Sequence, residues 1–161
     1  MGDFPSAVRD QILANIAEVG ESADAIIISD YNYGMADQSV FEAAKQLAAK
    51  RDIPIVVDSR FRLRNFVGAT AATPNQEEVE QILCHEFTAD AVSHLCQQLD
   101  YKTLLVTNGN KGMQVFQPNR APIQIDAVGS LDPVDVTGAG DTVIAAFALG
   151  LASGLDFAEA A

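Results

Sequence analysis

Tryptophan is absent from the 161 residues, and cysteine occurs only twice. Two thiols cannot staple a disulfide-rich scaffold, so the core must come from packed apolar side chains. Cys84 and Cys96 lie in Ile82-Leu83-Cys84 and His94-Leu95-Cys96, and read as plain buried helix thiols rather than a disulfide or metal pair. Basic residues are also scarce: 10 Lys+Arg stand against 22 Asp+Glu, a formal charge of −12. That deficit argues against a general nucleic-acid binder and against docking on an anionic membrane, both of which need a basic footprint. It still allows a nucleotide substrate, because backbone N–H groups and a metal ion can hold phosphates inside an acidic protein. The longest apolar helix candidate, Val143 to Ala152, falls short of the roughly 20 residues that span a bilayer. The opening Met1-Gly2-Asp3-Phe4-Pro5 has neither the basic start nor the apolar run of a secretory signal, so a cytoplasmic location is expected.

What is present is a globular composition, 48% hydrophobic and 20% charged. Apolar residues at Val8, Ile12, Leu13, Ile16 and Val19 have helical spacing, with Ser6 as a cap. Ala25-Ile26-Ile27-Ile28 is wholly apolar and fits a strand buried on both faces. Asp37 opens a second helix, and Ile53 to Asp58 is a second buried strand. Ala69 to Ala72 makes a third strand, followed by helices over 76–83 and 88–99. Thr103 to Thr107 is a fourth strand. Met113 to Phe116 and Ile123 to Ile125 read as an antiparallel hairpin edge. An Ala-rich helix runs from Gly138 to Ser153, and Asp156 starts one more. Strands alternating with helices predict an α/β fold: a doubly wound, mostly parallel sheet with helices on both faces. In such sheets ligands sit beyond the carboxyl ends of the strands. That rule selects the loops 29–34, 58–64, 73–78 and 107–112, joined by 135–141.

Three of these loops carry candidate chemistry. Asp135-Val136-Thr137-Gly138-Ala139-Gly140-Asp141 runs straight into an apolar helix. A helix start leaves backbone N–H groups unpaired and favours anions, and small residues let a phosphate approach the main chain. Asp141 in the first turn can accept a proton from an attacking alcohol; the plainer reading is a helix cap after a glycine turn. Asn75 and Glu78, three apart at a helix start, can hold a water-coordinated Mg²⁺ or form a capping-box variant. Thr107-Asn108-Gly109-Asn110-Lys111-Gly112 is, taken alone, a hairpin turn. His85 and His94 read as solvated or packed helix residues.

Together, in this order, the three segments resemble the ribokinase/PfkB family of carbohydrate kinases. Asp135 to Asp141 is similar to that family's C-terminal signature. Ser29-Asp30-Tyr31, Gly68-Ala69-Thr70, Thr73-Pro74-Asn75 and the tail from Asp135 through Glu159 resemble its heptose-phosphate kinases. Those chains often carry Lys where Tyr33 stands, and Asp-Pro-Lys where this one has Asp58-Ser59-Arg60. The resemblance implies ATP-dependent phosphorylation of a sugar or sugar phosphate, with Asp141 as general base. Gly138, Ala139 and Gly140 would form the anion hole. Asn75 and Glu78 would organise Mg²⁺ and the ATP phosphates, and Thr107, Gly109 and Gly112 would lie along the nucleotide. Asp30 and Arg60 would serve the substrate, while Asp135 and Thr137 would help hold a monovalent cation such as K⁺. The family's pattern also carries leading strands, a lid over the sugar and later helices. It therefore implies a C-terminal-half fragment: a single core domain over 1–161, incomplete at both ends and lacking the lid. Apolar surface left uncovered would favour a homo-oligomer. The alternative is a non-catalytic, nucleotide-binding or interaction remnant of such a kinase.

Overall fold

The computed structural model describes residues 5–84, 86–128 and 137–161. In chain order these are α1 (Ser6–Val19), β1 (Ile26–Asp30), α2 (Gln38–Arg51), β2 (Ile55–Ser59), β3 (Ala71–Ala72), α3 (Gln76–Leu83), α4 (Ala89–Gln98), β4 (Thr103–Thr107), β5 (Met113–Phe116), β6 (Ile123–Ile125) and α5 (Ala139–Ala152). The strands form one six-stranded sheet in sequence order. Neighbours from β1 to β4 run parallel, and β5 and β6 add antiparallel. The α/β sheet with a hairpin edge is thus the one the element order predicts.

Successive side chains of a strand point to opposite faces, and the core divides accordingly. Ile28, Val57, Ala72 and Leu104 face Phe41 and Ala44 of α2, Val79 of α3 and Leu95 of α4. Val56, Ala71, Leu105 and Val115 face Ile144, Phe147 and Ala148 of α5. Burying a side chain such as Ile144 or Phe147 stabilises by roughly 1.5–3 kcal/mol each. Local caps set the helix starts. The Asp37 carboxylate accepts the Val40 N–H at 3.0 Å, and the Thr88 hydroxyl accepts the Ala91 N–H at 3.3 Å.

Four expectations need correction. β1 is an edge strand, paired among the described strands only with β2, and Ile27 is 43% exposed rather than buried on both faces. Ser6 is the first helical residue of α1, and no side chain caps that end. Cys84 is exposed, because it is the left-handed residue (φ 58°) that ends α3, whereas Cys96 is buried as expected. After Asp156 the chain makes a single turn over 157–159, not a helix. There the Asp156 carboxylate accepts the Ala158 and Glu159 N–H groups, and Glu159 Oε2 accepts the Asp156 N–H. His94 is exposed, and His85 lies outside the described residues.

Candidate active site

The carboxyl ends of β1 to β4 lie along one edge of the sheet, and α5 starts beside them. Gly138 precedes α5 with φ 76°, a left-handed conformation that glycine adopts without strain. Its carbonyl accepts the Thr142 N–H at 2.9 Å and the Thr142 hydroxyl at 3.0 Å. Among the described residues, and apart from chain neighbours and the helix's own backbone, no atom lies within 4 Å of where a Cβ would stand on Gly138 or Gly140. Among the described residues no side chain caps the first turn of α5, and such a helix start favours an anion. Asp141 is exposed in that turn, and the Tyr31 hydroxyl donates to its Oδ1 at 2.9 Å. This hydrogen bond to a carboxylate, more than any other influence, pushes the Tyr31 phenol above its ordinary range.

Asp30, at the end of β1, is turned inward and is only 5% exposed. Its oxygens accept the Ser59 hydroxyl at 2.8 Å, the Asn32 N–H at 2.9 Å and two nitrogens of Arg62. Burial alone would raise its pKa, but the hydrogen bonds from Arg62, Ser59 and Asn32 outweigh burial and hold it below the usual range. Asp30, expected to serve the substrate, is thus tied internally to the loop that carries Ser59 and Arg62. Arg60 is exposed, and its guanidinium lies over the Phe61 ring at 5.3 Å. It borders a groove with Arg64 and Gln81.

Asn75 and Glu78 form a capping box. Asn75 Oδ1 accepts the Glu78 N–H at 2.8 Å, and Glu78 Oε2 accepts the Asn75 N–H at 3.0 Å. The same start is tied to the next loop: Thr107 N–H donates to the Pro74 carbonyl at 3.0 Å, and the Asn108 amide donates to Gln76. Gly109 and Gly112 bracket a tight turn with φ 53° and 85°. A Cβ on Gly112 would stand 2.0 Å from the Ile125 carbonyl, so no other residue fits there. Thr137 is exposed just before Gly138, and Asp135 lies outside the described residues.

Asp58 completes the edge. It lies one residue before the end of β2, opposite Ser29, and its pKa is pushed up to about 6. Burial is the main cause, followed by the negative charges of Glu78, Asp141 and Asp30. Four carboxylates thus share one edge, yet among the described residues no three acidic, His or Cys side chains converge closely enough to hold a metal directly.

Residues 5–161 match the family described as pfkB family carbohydrate kinase. The chain belongs to the pfkB carbohydrate kinase family. It is 34% identical to "Bifunctional protein HldE" of Pasteurella multocida over 98% of this chain but 34% of that protein. Arabidopsis thaliana ribokinase, solved with ribose and ATP, superposes with a TM-score of 0.74 at 25% identity, over 94% of this chain and 48% of that one. Escherichia coli phosphofructokinase-2, solved with potassium, gives a TM-score of 0.80 at 20% identity, over 98% and 53%, which shows the shared fold. The pfkB chain therefore spans about a third of the curated relative and about half of the solved ones.

The structure brings Gly138 to Asp141, Asn75, Glu78, Thr107 and Gly109 to one sheet edge of this pfkB chain. Sequence reasoning missed Tyr31, Asp58 and Arg62 as parts of it. Asp58 had a usable signal, since it opens a loop at a strand's carboxyl end. Tyr31 had the same signal, in loop 29–34, but its partner, 110 positions away, was not legible.

Proposed function

We propose that the chain is the core of a kinase that moves the γ-phosphoryl group of ATP to a hydroxyl of a sugar or sugar phosphate, with a heptose phosphate as the favoured acceptor. The observation that carries this reading is Asp141 in the first turn of α5, beside three small residues at a helix start that no side chain caps. Asp141 takes the acceptor's proton as the acceptor oxygen bonds to phosphorus. The bond from phosphorus to the bridging oxygen breaks, and ADP leaves. The N–H groups of Gly138, Ala139 and Gly140 stabilise charge on the moving phosphoryl group. Thr107, Gly109 and Gly112 line the nucleotide, and Asn75 holds the start of α3 against that loop. Asp30 positions the β1 loop rather than touching substrate, and Arg60 is free to meet a phosphate.

The surplus of negative charge at Asp58 and Glu78 fits a divalent cation held through water, as Mg²⁺ prefers. When bound, Mg²⁺ supplies neutralisation of phosphate charge. Thr137 and Asp135 are the proposed protein contribution to a monovalent cation site. We further propose one core domain over 1–161 and a cytoplasmic location. Among the described residues no helix is long and apolar enough to cross a membrane. The exposed apolar residues Ile27 and Leu149, the latter 69% accessible, support self-association.

The test is an ATP-consumption screen of the longest natural chain carrying these residues, against a panel of sugars and sugar phosphates. Turnover of an acceptor, with phosphate on a hydroxyl, is expected. Failure across the panel, with the chain folded and binding ATP, would overturn the reading.

A further inference from the structure

We propose that Tyr31 is a positioning residue for the catalytic base: its phenol clamps Asp141 Oδ1 and leaves Oδ2 for the acceptor hydroxyl. This rests on the kinase reading. Asp141 is exposed, and among the described residues Tyr31 supplies its one side-chain hydrogen bond, at 2.9 Å. Without that donor the carboxylate would rotate freely in water. Both ends of the contact are held by the core. At one end Asp30, next to Tyr31, is buried and engaged by Ser59, Arg62 and the Asn32 N–H. Asn32 is left-handed (φ 61°), so the chain reverses immediately after the tyrosine. At the other end α5 is fixed to the sheet by Ile144, Phe147 and Ala148. Two rigid elements, 110 residues apart in sequence, thus meet through one phenol and one carboxylate. During transfer Tyr31 keeps its own proton, and the acceptor's proton goes to Oδ2 of Asp141. The tyrosine sits on the acceptor side of the edge, away from the 107–112 loop, so it acts on the chemical step and not on nucleotide affinity.

The contact is read directly by ¹³Cζ-tyrosine NMR of the 161-residue chain, in which three tyrosines are resolved by assignment. The Tyr31 signal should titrate above the ordinary tyrosine range of about 10 and return toward it in Asp141→Asn. Identical titration in both chains overturns the clamp. In the longest natural chain, Tyr31→Phe should lower kcat on the order of tenfold while leaving KM for ATP unchanged. An undiminished kcat in Tyr31→Phe overturns the positioning role and leaves the kinase reading standing. A folded, ATP-binding wild type that turns over no acceptor overturns the kinase reading and the role with it.

Discussion

Replacing Arg62 with methionine should lower stability by about 2–3 kcal/mol at pH 7, estimated from the energetics of broken buried ion pairs. Arg62 donates through Nε to Asp30 Oδ2 at 2.9 Å and through Nη2 to Oδ1, and also reaches the Ala36 carbonyl at 3.2 Å. The Asp30 side chain is 2% exposed and that of Arg62 is 25%. Removing one partner of a fully buried pair costs about 3–5 kcal/mol. The cost here is lower, because Arg62 reaches water and the Ser59 and Asn32 donors remain. For a domain of this size that corresponds to a fall in Tm of about 5–10 °C. The pH dependence gives a second reading. A carboxylate whose pKa is held down by folding contributes stability above its unfolded pKa and loses it as pH falls through the folded value. In Arg62→Met the largest influence holding the Asp30 pKa down is gone, so its folded pKa lies above that of the wild type. The gap between the two proteins should therefore narrow as the solution is acidified. Urea titrations followed by far-ultraviolet circular dichroism at several pH values measure both effects. A difference below about 0.5 kcal/mol at pH 7, the ordinary range for neutral surface changes, would refute the anchor. So would a gap that widens on acidification.

Two further outcomes follow from the titration and exposure of single groups. Because Asp58 holds its proton up to about pH 6 when folded, its contribution to stability should fall as pH rises from its unfolded value, about 4, to 6. Asp58→Asn should remove that fall and, with solvent screening allowed for, stabilise by about 1 kcal/mol above pH 6 in metal-free buffer; chemical denaturation at pH 4 and 7 checks it. An aromatic disulfide reagent should titrate one thiol in the native chain and two after denaturation. Cys84 is exposed, whereas burial pushes the Cys96 thiol up to about 12.

Local chemistry made most of the fold legible. Asp37, Asn75 and Thr88 mark helix starts by side chains that accept backbone N–H groups, and the structure uses all three. The α3, β4, β5 and β6 limits follow from periodicity and turn residues alone. β1 misled because an all-apolar run reports hydrophobicity, not position in a sheet. Cys84 misled because its left-handed backbone turns the side chain outward at the end of an apolar stretch. In the site, the small-residue turn and Asp141 were legible through the physics of a helix start. Asp30 was placed at the right edge, but its bonds to Ser59, Asn32 and Arg62 were not legible. Its inward bonds include two from Arg62, two residues after the Arg60 named as the substrate residue. Such pairings are properties of the folded register, which no local window contains.

The central claim is that Asp141 is the base of a phosphoryl transfer. Asp141→Asn in the longest natural chain keeps the shape of the side chain and removes its capacity to take a proton. Nucleotide affinity should persist while acceptor phosphorylation falls by about 10²–10⁴-fold. Phosphorylation that continues at the wild-type rate would contradict it.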